Sequence, residues 1–190
     1  SAEGARGDTL SRAAVEDERL GRYRLVRRIG GGGMADVFRA ELVGAEGVTR
    51  ELVIKKVLHT LSLDREAVEM FVQEARVAAR LHHPNVVQVY EFGRAGDGYF
   101  LAMELVEGCD LAALLKTHAG ASLPLGVVAF VFQELLEALG YVHGLPDAEG
   151  RPLGLVHRDV SPHNVLLGRA GEVKLADFGI ATASARVHDG

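Results

Sequence analysis

The chain has almost no cysteine. Cys109 stands alone, so no internal disulfide can form, and a reducing compartment, the cytoplasm, is the expected setting. An excess of positive charge is also missing. With 21 Lys and Arg against 26 Asp and Glu the formal net charge is −5, which argues against nucleic acid or an anionic membrane as the main partner. No uninterrupted apolar run approaches the length of a membrane span. The opening "SAEGARGDTLSRAAVEDERL" lacks the basic start and apolar middle of a signal peptide. Nothing repeats, and no segment is low-complexity. What the chain does have is apolar content. Of its 190 residues 48% are hydrophobic, enough for a sizeable core in one substantial domain or a small two-lobed one.

Residues 1–20 are small, polar and charged, and read as a flexible leader. From Gly21 the texture changes. "RYRLVRRI", the run Gly30 to Gly33, and "MADVFRAELV" read as strand, turn and strand, and "RELVIKKVL" as a third strand. "SLDREAVEMFVQEARVAARL" places Val68, Phe71, Val72, Ala75 and Ala79 at helical spacing, with Ser62 or Asp64 as start signals. "HHPN" ends it, because the residue before Pro84 resists helix. "VVQVYEFG" and "GYFLAMELV" are two further strands around the turn "RAGDG". The simplest arrangement is a five-stranded antiparallel sheet with one helix laid against it. Beyond a boundary near Val106 to Asp110 the character becomes helical. "DLAALLKTHA" is short, and "LPLGVVAFVFQELLEALGYVHGL" is apolar nearly all round and reads as buried.

Several residues carry possible chemistry. Backbone N–H groups at Gly30, Gly31, Gly32 and Gly33 can approach phosphates, since no side chain blocks them; a plain hairpin turn accounts for the same letters. A dinucleotide-binding fold is disfavoured, because a strand and not a helix follows the glycines. Strand alternation sends Lys55 and Lys56 to opposite faces, with Val53 beside Lys55. An inward Lys55 needs a counter-ion, and Glu74 on the following helix is the candidate; the alternative is two solvated charges. Asp159 and Asn164 share a loop, and Asp177 follows an apolar strand. Such oxygen-bearing side chains suit Mg²⁺, which accepts few protein ligands and keeps phosphate oxygens and water. A carboxylate at Asp159 can instead receive the proton of an attacking hydroxyl.

In order the chain reads G-x-G-x-x-A-x-V (Gly30 to Val37), V-I-K (Val53 to Lys55), a helical Glu74, H-R-D-x-x-x-x-N (His157 to Asn164) and D-F-G (Asp177 to Gly179). This resembles the eukaryotic-like protein kinase superfamily from about Gly21 onward, and "HRDVSPHN" and "KLADFGIA" look like its bacterial serine/threonine kinases. The resemblance implies an α+β, two-lobed protein-kinase-like fold. Residues 21–106 would form the N-lobe, with its five-stranded antiparallel sheet and one main helix. Residues 107–190 would form an incomplete, mainly helical C-lobe. It also implies ATP and Mg²⁺: the loop from Ile29 to Val37 would cover ATP, and Lys55 would hold its α- and β-phosphates and pair with Glu74. Asp159 would orient the acceptor hydroxyl, while Asn164 and Asp177 would hold magnesium. Met103 matches the gatekeeper, the backbone of Glu104 and Val106 would meet the adenine edge, and Asp110 the ribose. Val37, Val53 and Leu166 would sandwich adenine, and His157 and Phe178 would be packing residues. The implied reaction moves the ATP γ-phosphate to serine or threonine hydroxyls of a protein substrate. The alternative is a nucleotide-binding pseudokinase or scaffold module without phosphotransfer.

Three residues depart from the family's pattern. Ala35 replaces a third glycine, and Val53 replaces the alanine usual above adenine. Ser161 stands where a lysine usually faces the γ-phosphate. No A-P-E motif appears before Gly190, so the expectation is a piece of a longer catalytic domain. Cys109, beside Asp110 at the expected pocket lip, reads as a partly buried and inert thiol.

Overall fold

The computed structural model describes residues 18–33, 35–58, 65–96, 98–118, 122–147 and 149–177. Two compact units emerge. One holds the described residues up to Val68 together with Tyr90–Leu105, and the other holds Glu69–Val89 together with the described residues from Val106.

The first unit is a sheet of β1 (Arg19–Leu20), β2 (Tyr23–Gly31), β3 (Ala35–Val43), β4 (Thr49–Val57), β5 (Val89–Ala95) and β6 (Gly98–Met103). The strand order is β1-β2-β3-β4-β6-β5. Alternation builds its core. Tyr23, Leu25, Phe38, Ala40, Leu52, Ile54, Phe100 and Ala102 occupy every second position of four strands and pack into one buried cluster with Leu20. Each large apolar side chain buried there contributes about 1.5–3 kcal/mol. The sheet has six strands where five were expected. The extra one is β1, with Arg19 opposite Arg24 and Leu20 opposite Tyr23, so the last residues assigned to a leader are strand. Two residues are too few to show a period. The remainder of that leader, residues 1–17, lies outside the described residues.

Helix α1 (Arg65–Ala78) buries Phe71, Ala75 and Ala78, spaced four and three apart. Its expected start signals, Ser62 and Asp64, lie outside the described residues. In the second unit β7 (Gly108–Asp110), β8 (Val165–Gly168) and β9 (Val173–Leu175) form a three-stranded antiparallel sheet. Gly108 must be glycine, since a Cβ there would run into the Leu167 carbonyl. Val86 and Val87 were expected to begin the strand that becomes β5. Val86 instead bridges Leu175 in parallel, and the Val87 N–H donates to the Leu175 carbonyl at 3.0 Å. Both pairings use the same alternating apolar letters, so local pattern does not separate them.

Helix α2 (Leu111–Thr117) is capped by Asp110, whose Oδ1 accepts from the Ala113 N–H at 2.6 Å. Helix α3 (Leu125–His143) presents Val131, Leu135, Ala138 and Val142 to a core shared with Leu81, Val86, Val165, Val173 and Leu175. The expectation that α3 is buried holds for one stripe only. Phe132 is 61% and Leu136 65% exposed, because only one stripe of the helix has a partner among the described residues. By length and composition alone α3 could also cross a membrane. Within this fold, however, it carries Glu134, the hydrogen-bond partner of buried Asn85.

Candidate functional site

The first unit contributes a row set by strand register. Gly30 pairs with Val37, Val37 with Lys55, and Lys55 with Leu101, while Val53 lies opposite Met103. Directly opposed residues share a face, so Gly30, Val37, Val53, Lys55 and Met103 line the side of the sheet away from its buried cluster. Lys56 points the other way and pairs with Glu18. The two lysines therefore divide as alternation requires. Glu74 lies on α1, but its side chain is outside the described residues, and so is its expected pairing with Lys55.

The glycines follow with Ile29, Gly30 and Gly31 ending β2 and Gly32 and Gly33 in the turn. None of the four has the positive φ that demands glycine. A Cβ on Gly32 or Gly33 would meet nothing within 4 Å, and one on Gly30 would sit 3.8 Å from Val37 Cβ, an ordinary contact. Neither backbone conformation nor protein packing explains glycine at 30, 32 and 33. The glycines leave the turn without side chains, while the Gly32 N–H itself is already bonded to the Ala35 carbonyl at 2.9 Å.

The second unit contributes a closed circuit of hydrogen bonds. Asn164 Nδ2 donates to Asp159 Oδ2 at 2.8 Å and to the Asp159 carbonyl at 3.0 Å. The Asn164 carbonyl accepts from the Ala176 N–H at 2.8 Å. His157 Nε2 lies 3.0 Å from the Ala176 carbonyl, and the Asp159 N–H donates to His157 Nδ1 at 3.3 Å. Because Nδ1 accepts, the ring proton belongs on Nε2, which donates to Ala176. His157 is only 1% exposed. Burial pushes its imidazole below the ordinary 6.5, against the opposing pull of the Ala176 carbonyl and the Asp159 and Asp177 carboxylates. More than packing, His157 ties the Asp159 loop to the strand end that carries Asp177. Phe178, expected to pack beside it, lies outside the described residues.

Two residues of this circuit's frame, Arg158 at φ 66° and Asp177 at φ 51°, hold a left-handed backbone that costs non-glycine residues energy. Such strain persists where the surroundings over-determine it, and it clusters at functional sites. With Asn164 Nδ2 bonded to Asp159, the amide's remaining group is its Oδ1 oxygen. Among the described residues no three His, Cys, Asp or Glu side chains gather as a metal site. An amide oxygen and one carboxylate, Asn164 and Asp177, fit an ion that takes most of its ligands from phosphate and water. Asp110 lies opposite Leu166 on neighbouring strands, which brings two more of the expected ligand contacts together. Val106 and Glu104 lie in the connection between β6 and β7. Cys109, expected to be partly buried, is exposed. The Ser161 hydroxyl, by contrast, donates to no described protein group.

Sequence reasoning missed Asn85. It is 8% exposed, and its Nδ2 donates to Glu134 Oε2 at 2.5 Å and to the Val173 carbonyl at 3.0 Å. It thereby joins α3 to β9, the strand leading to Asp177. In the sequence it follows Pro84 and reads only as part of a helix stop. A buried, doubly bonded amide leaves no mark on periodicity.

The sequence profile of the protein kinase domain matches residues 23–188. Over 170 residues the chain is 44% identical to the tyrosine-protein kinase MasK of Myxococcus xanthus (strain DK1622), covering 88% of this chain and 26% of MasK. It is 38% identical over 165 residues to the serine/threonine-protein kinase PrkC of Bacillus subtilis (strain 168), covering 86% of this chain and 23% of PrkC. Among solved structures, the kinase domain of Mycobacterium tuberculosis PknI superposes with a TM-score of 0.69 at 31% identity. That match covers 86% of this chain and 62% of the PknI chain. The chain thus spans about a quarter of the length of these curated relatives.

Proposed function

The chain belongs to the protein kinase family, and on that premise we propose that the domain it comes from is an ATP-dependent protein kinase acting on serine and threonine hydroxyls. The observation that carries this reading is the circuit His157–Asp159–Asn164–Ala176, which fixes a carboxylate, an amide oxygen and the backbone leading to Asp177 in one frame. Phosphoryl transfer asks mainly for positioning and charge neutralisation, and a frame of this kind supplies the positioning.

In the proposed reaction the acceptor hydroxyl oxygen forms a bond to the γ-phosphorus while the bond from that phosphorus to the β,γ-bridging oxygen breaks. The hydroxyl proton passes to the Asp159 carboxylate, which Asn164 Nδ2 orients. ADP leaves with the electron pair of the broken bond. Lys55 is the residue proposed to hold the α- and β-phosphates, Glu74 is its proposed counter-ion, and the side-chain-free turn Gly30 to Gly33 is proposed to cover the phosphates. Val37, Val53 and Met103 of the first unit, and Leu166 of the second, are each proposed to pack on adenine, and the Glu104 and Val106 backbone is proposed for its edge. Asp110 meets the ribose with the oxygen not used in capping α2. Asn164 and Asp177 would hold magnesium, which would supply charge neutralisation at the phosphates. We place the reaction in the cytoplasm, where ATP is available.

Serine and threonine as acceptors are part of the proposal. MasK is named a tyrosine kinase and PrkC a serine/threonine kinase, so phosphoamino-acid analysis of the products of the full-length protein decides the point. Phosphoserine and phosphothreonine are expected; phosphotyrosine alone would overturn the assignment of acceptor while leaving the transfer chemistry intact. Ser161 brings no cation to the γ-phosphate, which favours a slow kinase and keeps a nucleotide-binding module as the second reading.

A further inference from the structure

Two exposed ion pairs bridge β2 and β3: Arg24–Glu41, away from the turn, and Arg28–Asp36, beside the glycines. Arg28 Nε donates to Asp36 Oδ1 at 2.8 Å, and Arg28 Nη2 approaches the same oxygen at 2.6 Å. Among the described residues from Ile29 to Val37, no other side chain ties the two strands together. The tip beyond the pair is closed by the Gly32 N–H donating to the Ala35 carbonyl at 2.9 Å. Four successive glycines lose more conformational freedom on ordering than any other run of four would. A loop of that composition has little of its own to hold one shape.

Gly31 behaves unlike the other glycines. A Cβ built on it would lie 2.6 Å from Asp36 Oδ1 and collide with the Arg28 guanidinium, whereas Gly32 and Gly33 face open space. Asp36 alternates with Val37, so the pair lies on the side of the sheet opposite the row Gly30–Val37–Lys55. It therefore acts from behind the ligand side.

We propose that Arg28 and Asp36 form a latch holding the hairpin tip in its phosphate-covering shape, and that Gly31 is glycine to leave room for that latch. The inference rests on the nucleotide-binding reading above. It also has an electrostatic side: Asp36 alone would put a carboxylate in the loop that covers a polyanion, and Arg28 neutralises it. Arg28 and Asp36 are positioning residues, since both lie on the face of the sheet opposite Val37 and Lys55.

The test is Mg-ATP affinity of the full-length protein, measured by titration calorimetry at low and high salt. An exposed ion pair of ordinary strength predicts that Asp36→Asn and Arg28→Gln each weaken binding about two- to fivefold, less so at high salt. The exchange Arg28→Asp with Asp36→Arg should recover most of the loss. Gly31→Ala should weaken binding in the wild type and add little when Arg28→Gln and Asp36→Asn are already present. Tighter binding by Asp36→Asn would show that only charge matters and would overturn the latch. An equal Gly31→Ala cost with and without the pair would also overturn it. Failure of the wild type to bind Mg-ATP would overturn the nucleotide reading itself, and the latch with it.

Discussion

Asn164 donates one amide hydrogen-bonding group to both the carbonyl and the carboxylate of Asp159, at 3.0 and 2.8 Å, across five residues of a single loop. The same residue's carbonyl receives the Ala176 N–H. One side chain thus orients the proposed proton acceptor, and its backbone holds the strand end that bears Asp177. Removing it should act on chemistry more than on binding. We expect Asn164→Ala to lower kcat about a hundredfold or more, the scale of one well-placed electrostatic group, while the KM for the protein substrate stays within a few-fold. Steady-state kinetics of the full-length protein checks this. A raised KM at unchanged kcat would assign Asn164 to binding alone.

Ser161 leaves the Asp159 loop without its usual cation. Restoring the charge with Ser161→Lys should accelerate transfer, because a donor at the transferring group is worth about 2–4 kcal/mol in the transition state. An increase of at least tenfold in kcat is expected. An unchanged rate would mean that another group already neutralises the phosphate.

His157 gives a pH signature. Its folded-state pKa lies below the ordinary 6.5, primarily through burial. As pH falls through 6.5 the unfolded chain takes up a proton that the folded chain refuses, so stability is lost from there down to the folded pKa. Above about 6.5 both states are neutral and the group contributes no slope. Melting temperatures between pH 7.5 and 5 should fall more steeply for the wild type than for His157→Gln. Parallel curves would contradict the assignment of a neutral, Nε2-protonated ring.

Glycine substitutions separate packing from propensity. Gly108→Ala would drive a methyl into the Leu167 carbonyl and should cost about 1–3 kcal/mol, the range of overpacked sites. Gly140→Ala lies in α3 with nothing within 4 Å of the added carbon. It should stabilise by up to about 1 kcal/mol through helix propensity. Chemical denaturation of the full-length protein or its complete catalytic domain measures both signs.

Much of the architecture was legible because alternation and order are local. The split of Lys55 from Lys56, the strands around the glycine turn and the loop holding Asp159 and Asn164 all follow from spacing. What escaped was decided by partners distant in sequence. Val86 pairs with Leu175 instead of opening β5, and nothing near residue 86 records that choice. Helix α3 looked buried because its composition is apolar, yet burial depends on what packs against it, and only the Val131–Val142 stripe meets a core among the described residues. Asn85 and the Arg28–Asp36 pair were invisible for the same reason: a hydrogen bond across 49 residues, or an ion pair across a hairpin, has no periodicity.

Transfer of labelled γ-phosphate from Mg-ATP to a protein substrate, comparing the full-length wild type with Asp159→Asn, tests the account most directly. The wild type should transfer phosphate, and Asp159→Asn should bind Mg-ATP with similar affinity while losing nearly all transfer. An Asp159→Asn protein as fast as the wild type, or a wild type that binds Mg-ATP and transfers nothing, would contradict it.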